Sequence, residues 1–152
     1  MTGIRRAASA IGVLCLVAGC ASERAQANRA LYHHIEIGNA GVAVVRQFRI
    51  AYGDVIFPGG SNFEEIPPVH RTISSEGRVV PVPIVAEVSW FSADGVKHQV
   101  SVPIRQLMQR SRHFYGWKFY FVDDRLDVYL LSEEERLPFH YTERTEEKVF
   151  SG

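Results

Sequence analysis

Cysteine is scarce in this chain: of 152 residues two are Cys, at positions 15 and 20, both before the patterned part of the chain begins. Two thiols so close to one end exclude a disulfide-stapled scaffold, so stability must come from an apolar core, for which 46% hydrophobic residues and an ordinary single-domain length suffice. Net charge is missing as well, with 17 Lys and Arg against 17 Asp and Glu. A balanced chain has no electrostatic reason to bind nucleic acid or to coat an anionic surface through charge alone. Long hydrophobic runs are absent too: the longest, Ala7 to Ala18, falls short of the ~20 residues a bilayer span needs. HExxH, the P-loop and the Rossmann fingerprint do not occur, and Gly59-Gly60-Ser61 lacks the spacing of G-x-S-x-G.

Arg5 and Arg6 followed by the apolar run read as a signal peptide covering 1–19. The run ends in Leu16-Val17-Ala18-Gly19-Cys20, which resembles the lipobox of bacterial lipoproteins, with Val17 where Leu is more usual. That resemblance implies cleavage before Cys20, diacylglyceryl attachment at its thiol and acylation of the new amine; two or more chains anchor stably where one does not. Ala21 in place of Asp implies sorting to the outer membrane on its periplasmic side, with the inner membrane as the alternative. Loss of Arg5 and Arg6 leaves fifteen Lys and Arg against 17 acids, a net charge near −2. Residues 20–29 form the lipidated cysteine and a polar tether, in which Ala21 to Asn28 reaches at most ~28 Å. The folded body is therefore expected to stay close to its membrane.

From Leu31 onward the pattern has period two. Ile35 and Ile37 alternate with Glu36, a turn is expected at Gly38 to Gly41, and Val42, Val44, Phe48, Ile50 and Tyr52 share one face, interrupted by Arg46; together these predict a first hairpin. A second joins Ile84, Ala86, Val88 and Trp90 to Val96, Val100 and Val102 across Asp94-Gly95, and a third joins Trp117–Phe121 to Leu126–Leu130 across Asp123-Asp124. Three hairpins without a long helical period predict an all-β fold, an antiparallel β-sandwich, immunoglobulin-like or related, over 30–141. Gly53 to Pro81 reads either as a functional surface loop or as an unrecognised edge strand. Ser132 to Arg136 and Thr142 to Lys148 read as a short helix or, in preference, as a solvated acidic end, with 142–152 a C-terminal tail.

Adjacent His33 and His34 on a strand face opposite ways and do not share one metal, so no metal site and no cofactor are expected. His98 falls on the inward parity of its strand and reads as a hydrogen-bonded core histidine; with His70 it is the centre of a minority reading as a hydrolase or small-ligand binder, and no enzyme is expected. Arginines interleaved with aromatics between Arg105 and Tyr120 match the residue types of protein hot spots. The residues expected to touch a protein partner are Arg110, Arg112, His113, Tyr115 and Trp117, with Phe57 and His70 from the 53–81 segment.

Beyond the lipobox, Val88-Ser89-Trp90-Phe91-Ser92-Ala93-Asp94-Gly95-Val96-Lys97-His98 resembles small uncharacterised lipoproteins of Gram-negative bacteria, some of which serve as immunity proteins against type VI secretion effectors. The resemblance implies a protein-binding lipoprotein that neutralises a secreted effector by steric occlusion. The alternative is an envelope-assembly or scaffold lipoprotein. The small outer-membrane component of the type VI machine shares size and class, but its Asn-rich and Tyr-Gln-Leu signature is missing here.

Overall fold

A computed structural model describes residues 30–57, 65–69, 71–136 and 141–152. The elements are β1 (Ala30–Asn39), β2 (Val45–Tyr52), β3 (Val55–Phe57), β4 (Glu65–Ile66), β5 (Arg71–Pro81), β6 (Ala86–Phe91), β7 (Lys97–Val102), α1 (Ile104–Met108), β8 (Phe114–Val122), β9 (Arg125–Arg136) and β10 (Tyr141–Ser151). They form two sheets, ordered β10-β9-β8-β1-β5 and β3-β2-β6-β7, with β4 also pairing β2. All pairings are antiparallel except β1 with β8. The fold is thus the expected all-β sandwich.

Its core is made where inward alternation on both sheets meets. Trp117, Phe119 and Phe121 of β8 and Leu126, Val128 and Leu130 of β9 face Phe48, Ile50 and Tyr52 of β2 and Val88 and Trp90 of β6, all buried. Phe121 takes the edges of both Phe48 and Trp90, at ring-centroid distances of 5.8 and 5.2 Å. The Trp117 indole N–H donates to the Tyr52 hydroxyl at 3.1 Å, a bond that bridges the two sheets. Burial and loss of the solvated phenolate push the Tyr52 pKa well above its ordinary range.

The second and third hairpins form as expected, β6 to β7 and β8 to β9. At their ends Ile84 and Val96 point to solvent rather than inward. The first hairpin does not form: β1 lies between β5 and β8, while β2 belongs to the other sheet. The segment between them is an arch pinned at its base by the buried Asn39 side chain, which donates to Ala43 O and Ile66 O at 2.8 and 3.1 Å and accepts from Gly41 N–H. Ala40 N–H bonds Phe121 O, and Val42 N–H bonds the Asp123 carboxylate in the β8–β9 turn. A Cβ on Gly41 would lie 2.4 Å from Asp123 N, so this close approach needs glycine. Alternation does not distinguish a strand that returns beside its neighbour from one that crosses to the facing sheet.

Phase also shifts within β2. Gln47 has φ +45° and sits in a register shift between Arg46 and Arg49, so Val45 and Phe48 both face the core while Val42 is exposed and Val44 only half-buried. Arg46 accordingly turns outward, where it pairs with Glu65 at 3.2 Å.

Of the two readings of Gly53 to Pro81, the strand is correct: it contains β3, β4 and the edge strand β5, which pairs with β1 over its whole length. The acidic end is corrected too, since β9 runs through Ser132–Arg136 and residues 142–151 belong to β10 rather than to a tail. Opposite charges across strands explain why so polar a sequence pairs: Arg144 bonds its cross-strand neighbour Glu133 at 2.9 Å, and Lys118 bonds Glu146 at 2.7 Å. Asp127, buried at the start of β9, accepts hydrogen bonds from Lys148 at 2.6 Å and Ser151 at 2.7 Å and forms an ion pair with Arg125 at 3.1 Å. Burial opposes its ionisation most, but the Lys148 ammonium and Ser151 hydroxyl together outweigh it and hold the carboxyl below its usual range.

His33 and His34 do face opposite ways. His33 is fully buried between Tyr52 and Phe114, donating from Nδ1 to Leu31 O at 3.0 Å, and among the described residues no partner reaches Nε2. Burial holds its pKa below the ordinary 6.5, so the folded ring stays neutral where the unfolded ring gains a proton. Stability is therefore expected to fall as pH drops below 6.5 and to level off below the folded pKa. Thermal unfolding between pH 7.5 and 5 should show this slope, and His33→Leu should remove most of it; an equal slope in the variant would assign the effect to other groups.

Candidate functional site

The segment after α1 is held in place by its own backbone. Arg110 N–H and Ser111 N–H bond Leu107 O and Met108 O, closing the last turn, and Glu133 N–H bonds His113 O. The Ser111 hydroxyl lies 2.6 Å from that of Ser132 and accepts from His113 N–H at 3.1 Å. These bonds dock the segment on β9 and leave Arg110, Arg112 and His113 exposed. Tyr115, half-buried, stacks on His34 at 4.4 Å, and the Arg144 guanidinium lies 4.6 Å from its ring centroid. Burial raises the Tyr115 pKa against the opposing pull of Arg144, so its hydroxyl is a neutral donor and acceptor.

A cleft of about 210 Å³ opens beside the segment. Arg110, Arg112 and His113 line it together with Glu134 of β9 and Glu143 and Glu147 of β10, while Ser111, Ser132 and Thr145 supply hydroxyls. A concave site lined by both signs of charge can receive a surface that carries both signs in the complementary order.

Three of the expected contact residues, Arg110, Arg112 and His113, are therefore brought together at the cleft, whereas Tyr115 is not part of its lining and packs instead on His34 and Arg144. Trp117 is not among them: it is fully buried in the sandwich, because its alternation with Phe119 and Phe121 points it inward. Phe57 is likewise corrected, being buried at the end of β3 with the Arg78 guanidinium 5.1 Å from its ring centroid. Cys20 and His70 lie outside the described residues. Glu143 and Glu147 of the cleft are not among the expected contacts, because a tail over 142–152 gives them no fixed place. The spacing Glu143, Thr145, Glu147 is nonetheless a period-two signal that places them on one face of a strand.

His98 is hydrogen-bonded as expected but only partly buried. Its ring stacks on Trp90 with centroids 5.0 Å apart, and Nε2 lies 3.1 Å from Ser92 Oγ and 3.9 Å from Asp124 Oδ1. Ser, His and Asp thus approach one another, but not as a relay: the carboxylate reaches the same ring nitrogen that the serine uses, whereas a triad needs the acid on the other one. Ser92 itself is buried, and its hydroxyl reaches Asp94 and Val96 O within the β6–β7 turn. The Ser92 hydroxyl, followed by the Val96 N–H, holds the Asp94 carboxyl below its usual range. This cluster caps a turn. Among the described residues no three His, Cys, Asp or Glu side chains are grouped to hold a metal ion.

Comparison of the chain with protein-family models, with curated proteins and with solved structures finds no match, so the reading of the site rests on its own geometry.

Proposed function

We propose that this chain is a membrane-anchored, periplasm-facing lipoprotein whose sandwich binds another protein without catalysis, and that the bound protein in the sharpest form of this reading is a secreted effector. The observation that carries the binding half is the exposure of Arg110, Arg112 and His113 along a cleft whose remaining lining includes Glu134, Glu143 and Glu147. Side chains presented from backbone already pinned to a sheet lose less entropy on binding than those of a free loop, which favours a stable complex. The anchoring half rests on Leu16 to Cys20 and on the short tether that follows. Effector neutralisation would then be steric, with the partner's functional face covered near the membrane. A scaffold that holds an envelope complex through the same cleft is the second reading.

Affinity capture from detergent-solubilised envelopes, using the full-length chain tagged at its C-terminus, tests both. One stoichiometric secreted effector supports the immunity form, an envelope complex supports the scaffold, and no protein partner at all removes the binding reading. Reversing charge with Arg110→Glu and Arg112→Glu together is expected to weaken the captured complex by about tenfold or more, roughly 1.4 kcal/mol. Both side chains are exposed, so the variant should unfold at the wild-type midpoint. Unchanged affinity would remove the cleft from the interface.

A further inference from the structure

The strand β10 forms one border of the first sheet. It pairs with β9 along its length, and among the described residues nothing pairs with its other edge. Which backbone groups face that edge follows from β9. Leu126 N–H bonds Gly152 O, just past the end of β10, while Glu133 N–H bonds His113 O, just before β8, so the even-numbered residues of β9 turn their amides to β10 and the odd-numbered ones to β8. Glu143, Thr145 and Glu147, opposite Glu134, Ser132 and Leu130, therefore use their N–H and C=O groups on β9. Thr142, Arg144 and Glu146 direct theirs outward, over the open edge.

An edge of this kind accepts another strand unless side chains guard it. The charges of β10 do not guard it: Arg144 reaches back to Glu133, Glu146 to Lys118 and Lys148 to Asp127, all across the sheet rather than over its border. Thr142 to Lys148 are exposed, and Tyr141–Ser151 contains neither Gly nor Pro to weaken or interrupt a ladder. The strand at the other border of this sheet, β5, has Gly77 in its interior and ends at Pro81, which has no N–H to donate.

We infer that the open edge of β10 pairs antiparallel with β10 of a second copy of this chain, about a two-fold axis at Thr145. Charge selects both the occupant and the register. With each Thr145 facing its counterpart, Arg144 of either chain lies opposite Glu146 of the other, and these are the residues whose outward backbone groups can exchange hydrogen bonds. An axis at Arg144 or at Glu146 puts like charges face to face, and one at Glu147 runs the ladder into the register shift between Lys148 and Phe150. On the other face of the strand, Glu143 of each copy meets Glu147 of the other. Both glutamates line the cleft that Arg110 and Arg112 also line, and those cations offset the repulsion. The two five-stranded sheets thereby join into one continuous sheet. This pairing depends on neither the lipid anchor nor a captured partner.

The register makes the test specific. Across the axis the two Thr145 Cα atoms lie about 4.5 Å apart, within disulfide reach, whereas the two Glu143 positions are at least about 13 Å apart. Under mild oxidation in detergent, the full-length chain carrying Thr145→Cys is expected to run mainly as a covalent dimer. Glu143→Cys should cross-link no more than the wild type, whose thiols are Cys15 and Cys20 alone. Cross-linking at 145 no greater than in the wild type overturns the inference, and so does equal cross-linking at 143 and 145. A disulfide from position 145 to a different protein in envelopes overturns it too, since a foreign strand then takes the edge. Charge reversal on the face away from the cleft gives an independent check by sedimentation. Arg144→Glu and Glu146→Arg are each expected to weaken self-association about tenfold, and a one-to-one mixture of the two should restore it, because glutamate then faces arginine at both contacts. Failure of the mixture to associate better than either variant alone overturns the pairing.

Discussion

Replacement of Trp117 by alanine is expected to remove about 4 kcal/mol of stability, a large part of the 5–15 kcal/mol that ordinarily holds a domain together. Trp117 is fully buried in the middle of β8, packs against Phe114 at 5.3 Å, and reaches across the sandwich to Tyr52. Alanine there loses the indole's transfer free energy and leaves a cavity between sheets whose strands are fixed by pairing on both sides, so little collapse can fill it. Tyr52→Phe separates packing from hydrogen bonding: it keeps the ring and orphans the Trp117 N–H, at an expected cost of about 1–3 kcal/mol. Denaturant unfolding of the two variants measures both effects. A loss below about 1.5 kcal/mol for Trp117→Ala would mean that the indole is not a central contact between the sheets. It would also reopen the residue as a surface contact.

Gly116→Ala is expected to cost about 3 kcal/mol, more than a small added methyl usually does. A Cβ at this position would lie 2.2 Å from His34 O and 2.8 Å from His34 C, and both belong to backbone that cannot swing aside. Relief requires β1 and β8 to separate at the one parallel pairing of the first sheet, where His34 faces Gly116. Loss of amide-exchange protection along Ile35 to Asn39 should therefore accompany the drop in stability. Gly95 provides the contrast: it has φ +85° but no atom within 4 Å of where a methyl would sit, so Gly95→Ala should cost about 1 kcal/mol from backbone strain alone. Equal costs for the two would show that conformation rather than close approach governs Gly116.

Much of the sandwich is readable along the chain because side-chain alternation is a local property of a strand. Trp117, Phe119 and Phe121 point inward for the same reason that Ala86, Val88 and Trp90 do, and the Asp94-Gly95 and Asp123-Asp124 turns lie between the strands they join. The strands that the pattern does not reveal are polar. Ser74-Ser75-Glu76-Gly77 in β5 and Glu133-Glu134-Glu135 in β9 lack the apolar half of the alternation, since edge strands and outer faces have little core to contact. Arg144 and Glu133 stabilise that edge by facing each other, a relation visible only once β9 and β10 are in register.

The candidate site divides along the same line. Arg110, Arg112, His113 and Tyr115 are neighbours in sequence, so their types alone mark a contact segment. Glu134 and Glu143 join the Arg110–His113 segment through the pairing of β9 with β10. By itself the sequence determined the all-β class, two of the hairpins and the inward face of the central strands, all of which depend on residues close along the chain. Only the tertiary structure decided that β1 and β2 part company, that Phe57 is core, and which charges share a cleft. Those outcomes depend on which strand lies beside which, and that is set by the summed burial of two sheets rather than by any one segment.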